Sequence, residues 1–199
     1  MLALLFCHHG CATVRVTDPQ RTATEQFLMS EAAIAAIKPI SFEPLRGRRV
    51  FIDETYLAIS TEKAFVLGQI RARLLESGAL LAPKREQAEV ILEVRSGGIG
   101  IDRYESLIGL PSFGSGTAAT SGQAIVPLSA FVTPEIAITK EIKQVGFASI
   151  AYVAYWADTG QIITSWGPST GKAYRADWWL LGFGPRTVGT IVTIEHQSE

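Results

Sequence analysis

The residues able to do acid–base chemistry are mostly carboxylates. Asp53 and Glu54 follow the short apolar segment Val50-Phe-Ile52. Asp102 and Glu105, with Tyr104 between them, follow the glycine-rich run Gly97-Gly-Ile-Gly100. Acids at strand ends are held by a scaffold, and two in one cleft can divide acid and base roles. The ordinary alternative is that they accept turn N–H groups or pair with Arg48, Arg49 or Arg103, and no third positioned group accompanies them. A serine nucleophile needs a histidine base, but His8, His9 and His196 lie at the chain ends, where rigid positioning is least expected. Phe113-Gly-Ser-Gly116 lacks the spacing of a nucleophile elbow. Gly98-Ile-Gly100 lacks the later glycine and following helix of a dinucleotide loop, and no Gly-Lys-Ser/Thr phosphate loop occurs. We therefore expect no catalytic residue, no cofactor and no metal, with a hydrolase using Asp53, Asp102 or Glu105 as the enzymatic alternative.

The only cysteines, Cys7 and Cys11, lie in the first eleven residues. The rest of the chain cannot depend on an internal disulfide or a thiolate nucleophile. Met1-Leu-Ala-Leu-Leu-Phe6 is apolar, and Gly10-Cys11 precedes a polar stretch. An apolar run ending at a small residue and a cysteine resembles a bacterial lipoprotein signal, in which cleavage precedes a cysteine that then carries acyl chains. The run is shorter than the usual apolar segment of roughly 7–15 residues, no basic residue precedes it, and His8 and His9 stand where small residues are normal. An ordinary apolar terminus and a metal cluster of Cys7, His8, His9 and Cys11 are the rival readings. We expect residues 1–21 to be signal remnant and tether, with Cys11 as the lipid attachment site.

Positioning falls to one domain, residues 22–199. The chain has 199 residues, 47% of them hydrophobic, which suits a single core. Its formal net charge of −1 comes from 18 basic and 19 acidic residues, with no basic excess to meet nucleic-acid phosphates. No run of about 20 apolar residues could span a bilayer as a helix.

Thr22-Ala-Thr-Glu25 has the form of a capping box and predicts a helix to about Ile37, with Phe27, Leu28, Ile34 and Ala35 on or near one face and Pro39 as its stop. Val50-Phe-Ile52 reads as a buried strand. Ser60 or Thr61 can cap a second helix with Glu62 in its first turn; Val66, Leu67, Ile70 and Leu74 recur at helical spacing, and Gly78 ends it. Strands are expected at Ala88–Arg95, with Val90, Leu92 and Val94 facing one way, at Glu135–Thr139, at Gly146–Trp156 in the sheet centre, and at Gln161–Trp166 after an Asp158-Thr-Gly160 hairpin turn. The first strand and Ala88–Arg95 flank a helix, so that pair can be parallel. The expected class is α+β, a mostly antiparallel sheet with two helices packed on one face.

From Ser106 to Pro134 no residue is charged. So long a stretch without periodic pattern is uncommon in a compact domain. Either it is a tolerated insertion that folds back on the core, or it is a surface for a partner, a neighbouring copy or the membrane interface. A second weakly charged stretch, Trp178-Trp-Leu-Leu-Gly-Phe-Gly-Pro185, can join it. The candidate contact residues are Leu107, Ile108, Leu110, Phe113, Phe131, Trp178 and Trp179.

Gly10-Cys11 and Thr22-Ala-Thr-Glu-Gln-Phe-Leu-Met-Ser30 resemble the start of an uncharacterised bacterial lipoprotein family, a domain of unknown function. Further elements carry the resemblance: Asp53-Glu-Thr-Tyr-Leu57, Ala88 to Glu93 running into Gly98 to Asp102, Leu110-Pro111, Pro134-Glu135, Gln144-Val-Gly146, and Trp178 through Pro185. The resemblance implies lipidation at Cys11 and no assigned activity. The order helix, strand, helix, meander also resembles lipoprotein subunits of ring-forming outer-membrane machines. The functional expectation is a non-enzymatic binding or assembly module of the cell envelope. It would be lipid-anchored on the periplasmic side, at the outer membrane in preference to the inner, with its own copies or an envelope protein as partner and no nucleic acid. The rivals are an envelope hydrolase and a small-ligand or lipid carrier with the uncharged segment as a lid.

Overall fold

The computed structural model describes residues 21–58, 62–110 and 135–191. Helix α1 spans Ala23–Ile37 and starts as the capping box predicts: the Thr22 hydroxyl accepts the Glu25 N–H, and the Glu25 carboxylate accepts the Thr22 N–H. Its buried stripe differs from the expected one. Leu28, Met29, Ala32, Ala33, Ala36 and Ile37 face inward, while Phe27 is 62% exposed and Ala35 is also outside. The small residues lie inside because the sheet beneath comes within backbone contact. A Cβ placed on Gly171 would fall 2.0 Å from the Ala32 carbonyl oxygen, and one on Gly146 would fall 2.5 Å from that of Leu28.

Strand β1 is Arg49–Asp53, and helix α2 is Lys63–Glu76. Glu62 occupies the N-cap position of α2 rather than its first turn. Its side chain makes no cap bond, because its carboxylate takes the Arg21 guanidinium at 2.9 Å. Ser60 and Thr61 lie outside the described residues. Gly78, at φ +84°, ends α2 as expected: Ala79 N–H donates to the Leu74 carbonyl and Gly78 N–H to that of Leu75.

Strand β2 is Leu80–Leu81, and then three long strands follow: β3 Val90–Leu110, β4 Ile136–Trp156 and β5 Ile162–Leu180. Strand β6, Phe183–Gly189, completes one sheet of order β2-β1-β3-β4-β5-β6. The β2–β1 and β1–β3 pairs are parallel, and the remaining three are antiparallel, so the class is α+β with a mostly antiparallel sheet. The segments expected at Glu135–Thr139 and Gly146–Trp156 are one strand. Ala88–Arg95 is only the first part of β3, which passes a bulge between Ser96 and Gly98 and runs on through Ser106–Leu110. Those five residues, expected to begin the unpatterned stretch, are paired with β4.

Both helices contribute to one core over one face of the sheet. Leu28, Ala32 and Ala36 of α1 and Val66, Ile70 and Leu74 of α2 meet Val50, Val90, Leu92, Val94, Ala148, Ile150, Tyr152 and Ala154. The alternation along β4 aims its even-numbered residues from Gly146 to Ala154 at the helices. Tyr152 donates its hydroxyl to the Ser41 carbonyl at 2.7 Å and stacks on Phe42, fixing the connection after α1 to the sheet.

Candidate functional site

The acids named from sequence do not converge. Asp53 is level with Glu93 across the β1–β3 ladder, and Asp102 lies nine residues farther along β3, about 30 Å away. Asp102 pairs in register with Val145 and Glu105 with Ile142, so the latter two acids point to opposite faces of the sheet. Asp53 and Glu105 have ordinary partners. Asp53 accepts the Thr55 hydroxyl and N–H and pairs with Arg85 at 2.9 Å. Glu105 pairs with Lys140 at 3.0 Å. The Thr55 hydroxyl foremost, with its N–H and the Arg85 guanidinium, holds the Asp53 carboxyl below the usual range against the opposing effect of burial. The Lys140 ammonium does the same for Glu105. A general acid needs its pKa raised toward neutrality, and these shifts run the other way.

Arg85 has a structural task. It reaches Asp53 on β1 and the Tyr155 hydroxyl, at 3.4 Å, on β4. Those strands flank β3, so the guanidinium crosses β3 beside Ile91, which is fully buried though it faces away from both helices. This gives a pH prediction. A carboxyl with a depressed folded pKa contributes stability above its unfolded value, near 4, and that contribution is lost as pH falls through the folded value. Urea midpoints measured from neutral pH down to about pH 3 should therefore fall less steeply for Asp53→Asn than for the wild type. Parallel acid limbs would exclude Asp53 as a contributor.

A cleft of about 570 Å³ is open and bordered by Arg85, Glu86, Ala88, Glu89, Trp156, Ala157 and Asp158. Four of these seven are charged, and the cleft is open to solvent, which does not suit a lipid cargo.

The opposite end of the sheet is different. Beyond the start of α1, where Arg175 reaches Thr24 and Gln144 reaches Glu25, strands β3, β4 and β5 continue past the helices. Cross-strand rows on the face away from the helices change composition along this projection. Gly100, Phe147 and Lys172 form one row, and Asp102, Val145 and Tyr174 the next. There Lys172 sits over the Phe147 ring and Lys143 over that of Tyr174. Ser106, Glu141 and Trp178 follow, and then Ile108, Thr139 and Leu180, with Phe183 beside Leu180. At the end Phe183 is 82% exposed, Ile108 66%, Leu181 65% and Leu110 61%, with Ile136 and Ile138 also exposed. Lys140 contacts both Glu135 and Glu105, Arg103 also reaches Glu105, and Glu141 and Arg186 stand on either side of Trp178.

Ser106–Leu110 of the first uncharged stretch and Trp178–Leu180 of the second therefore flank one strand, β4, at one end of the sheet. Ile108, Leu110 and Trp178 belong to the exposed cluster. Leu107 and Trp179 share a row with Lys140 on the other face and are half-buried. Phe113, Phe131 and Cys11 lie outside the described residues. Ile136, Ile138, Leu180, Leu181 and Phe183 were not anticipated as site residues, although Leu180-Leu181-Gly182-Phe183 sits inside the second stretch. Leu181 and Gly182 form the β5–β6 turn with φ of 51° and 80°. Two positive values define a turn that normally takes Asn-Gly. A leucine there pays backbone strain while leaving its side chain in the open.

A family of unknown function (DUF6655) matches residues 6–195. The chain belongs to that family. The matched length of this family member starts before Cys11 and includes all the strands of the distal cluster. No curated protein and no solved structure matches the chain.

Proposed function

We propose that the protein is a lipid-anchored envelope module that works by contact rather than by catalysis, with the distal apolar end of the sheet as its contact surface. One observation carries this reading. Residues 72 positions apart in sequence, Ile108 and Leu180, stand level with each other on either side of Thr139 of β4, at an end of the sheet where both are exposed. Exposed apolar clusters of this kind on a folded domain mark interaction sites. The scattering of the carboxylates, with Asp53 and Glu105 held below the usual range by their partners, favours contact over hydrolysis, and the open, partly charged cleft favours it over a ligand carrier. Attachment rests on Gly10-Cys11 after an apolar run, within the matched family length. No helix of the described residues is long and apolar enough to cross a membrane, so anchoring would fall to acyl chains. Periplasmic placement, at the outer membrane in preference to the inner, is part of the same proposal.

Metabolic labelling with a radioactive fatty acid tests the anchor. The wild type should take up label and Cys11→Ala should lose it. An unlabelled wild-type chain, or label retained in Cys11→Ala, would refute it. A photo-cross-linking amino acid at Phe183 tests the surface: it should form adducts in cells where the same group at Leu75, an exposed site on α2, forms none.

A further inference from the structure

We infer that the distal apolar end dips into the same lipid bilayer that holds the acylated Cys11, so that the domain stands on its membrane at two points. The inference rests on the anchored-module reading above and names what its contact surface touches.

The direction of the chain carries it. The N-terminus of α1 lies over the row of Gln144 and Arg175, at the margin from which the strands project. Arg21 is pinned there by Glu62 at the start of α2. The described chain thus begins at the end that carries the apolar cluster. From Gln144 to Ile136 is eight residues of strand, about 26 Å. Cys11 precedes Arg21 by ten residues, which span at most about 35 Å. Ten residues are thus long enough to bridge from Arg21 to the plane of Leu110 and Phe183.

The composition of the projection fits a bilayer better than a protein partner. Aromatic rings and basic side chains come first, with Tyr174 under Lys143, then Trp178 between Glu141 and Arg186, then a crown of Ile108, Leu180, Leu181 and Phe183. Tryptophan and tyrosine favour the headgroup layer, and aliphatic side chains lie beyond it. Lys140 and Arg103 together offset Glu135 and Glu105, which lowers the cost of bringing this end near hydrocarbon. The exposed Leu181 in a strained turn adds apolar area at the extreme end, where a docking partner with fixed hydrogen-bond donors would have no use for it.

The four tryptophans report on this separately. Trp178 and Trp179 lie at the projection. Trp156 ends β4 at the far end, and Trp166 pairs with Tyr152 over the core. The full chain carrying Cys7→Ser is coupled through Cys11 to a maleimide lipid in vesicles of phosphatidylethanolamine and phosphatidylglycerol containing brominated phosphatidylcholine, a contact quencher. Two backgrounds are compared, Trp156→Phe/Trp166→Phe and Trp178→Phe/Trp179→Phe. The first should be quenched and the second should not. Without coupling, the same chain should bind the vesicles, and Phe183→Asp should weaken that binding about tenfold or more, as a carboxylate facing acyl chains does. Leu181→Asn, which suits the turn better, should weaken binding while the urea midpoint holds or rises. Equal quenching in both backgrounds, or none in the coupled first background, overturns the inference. So does self-association that Phe183→Asp dissolves and vesicles leave unchanged, because a second copy would then cover the crown. If labelling in cells finds Cys11 unmodified while quenching is selective, the anchor fails and bilayer docking stands. Acylation without selective quenching gives the reverse.

Discussion

Gly171→Ala should destabilise the protein by about 3 kcal/mol, a large loss for the addition of one methyl group. Its Cβ would lie 2.0 Å from the Ala32 carbonyl oxygen and 2.4 Å from the Ala36 N. Both are backbone atoms of α1, so no rotamer change relieves the clash, and the whole helix has to lift. Lifting it separates Leu28, Ala32 and Ala36 from Ala148 and Ala173 and opens the core along its length. Gly68→Ala is the matched control. Gly68 lies inside α2, is exposed, and has nothing within 4 Å of a new Cβ. It should gain up to about 1 kcal/mol, because alanine orders a helix at less entropic cost than glycine. Urea unfolding of both variants decides the matter. Equal midpoints would mean that α1 does not sit at backbone contact with β5.

That contact also separates what the sequence could reveal from what it could not. The capping box at Thr22, the stop at Pro39, the terminator at Gly78 and the turn at Gly160 are local devices, and each is where its residues predict. The Val90, Leu92, Val94 alternation gave the buried face of β3 for the same reason. The inward face of α1 was misjudged because bulk usually marks a core. Here Gly146 and Gly171 leave no room for bulk, and they are more than a hundred residues away in the chain. Strand lengths were cut short for a similar reason. Gly97-Gly98 looks like a terminator but is a bulge, bridged by pairing to Ser149 and Ile150. Strand β6 was hidden by a turn that breaks the residue rules, with leucine at positive φ. The candidate site was legible as two uncharged stretches. That parts of both flank one strand follows from the β3–β4 and β4–β5 registers, which no local pattern specifies.

A core substitution should behave oppositely to one at the distal end, and the contrast makes the contact surface testable. Leu92 is fully buried on β3, paired with Ile52 on the parallel side and Ala154 on the antiparallel side. It sits where the two halves of the sheet join, within the single cluster that unites α1, α2 and the strands. Leu92→Ala removes that contact and leaves a void that a continuous ladder cannot close, so it should cost roughly 2–5 kcal/mol. Phe183 buries almost nothing at 82% exposure. Phe183→Ala should therefore change stability by less than about 0.5 kcal/mol, although a buried phenylalanine would cost several times more. Urea midpoints for both variants test this directly. A large loss for Phe183→Ala would mean that the distal cluster is part of the core and is covered in solution by the chain itself. A small one leaves an aromatic and its aliphatic neighbours that the fold does not require, and their selection then has to come from whatever they touch.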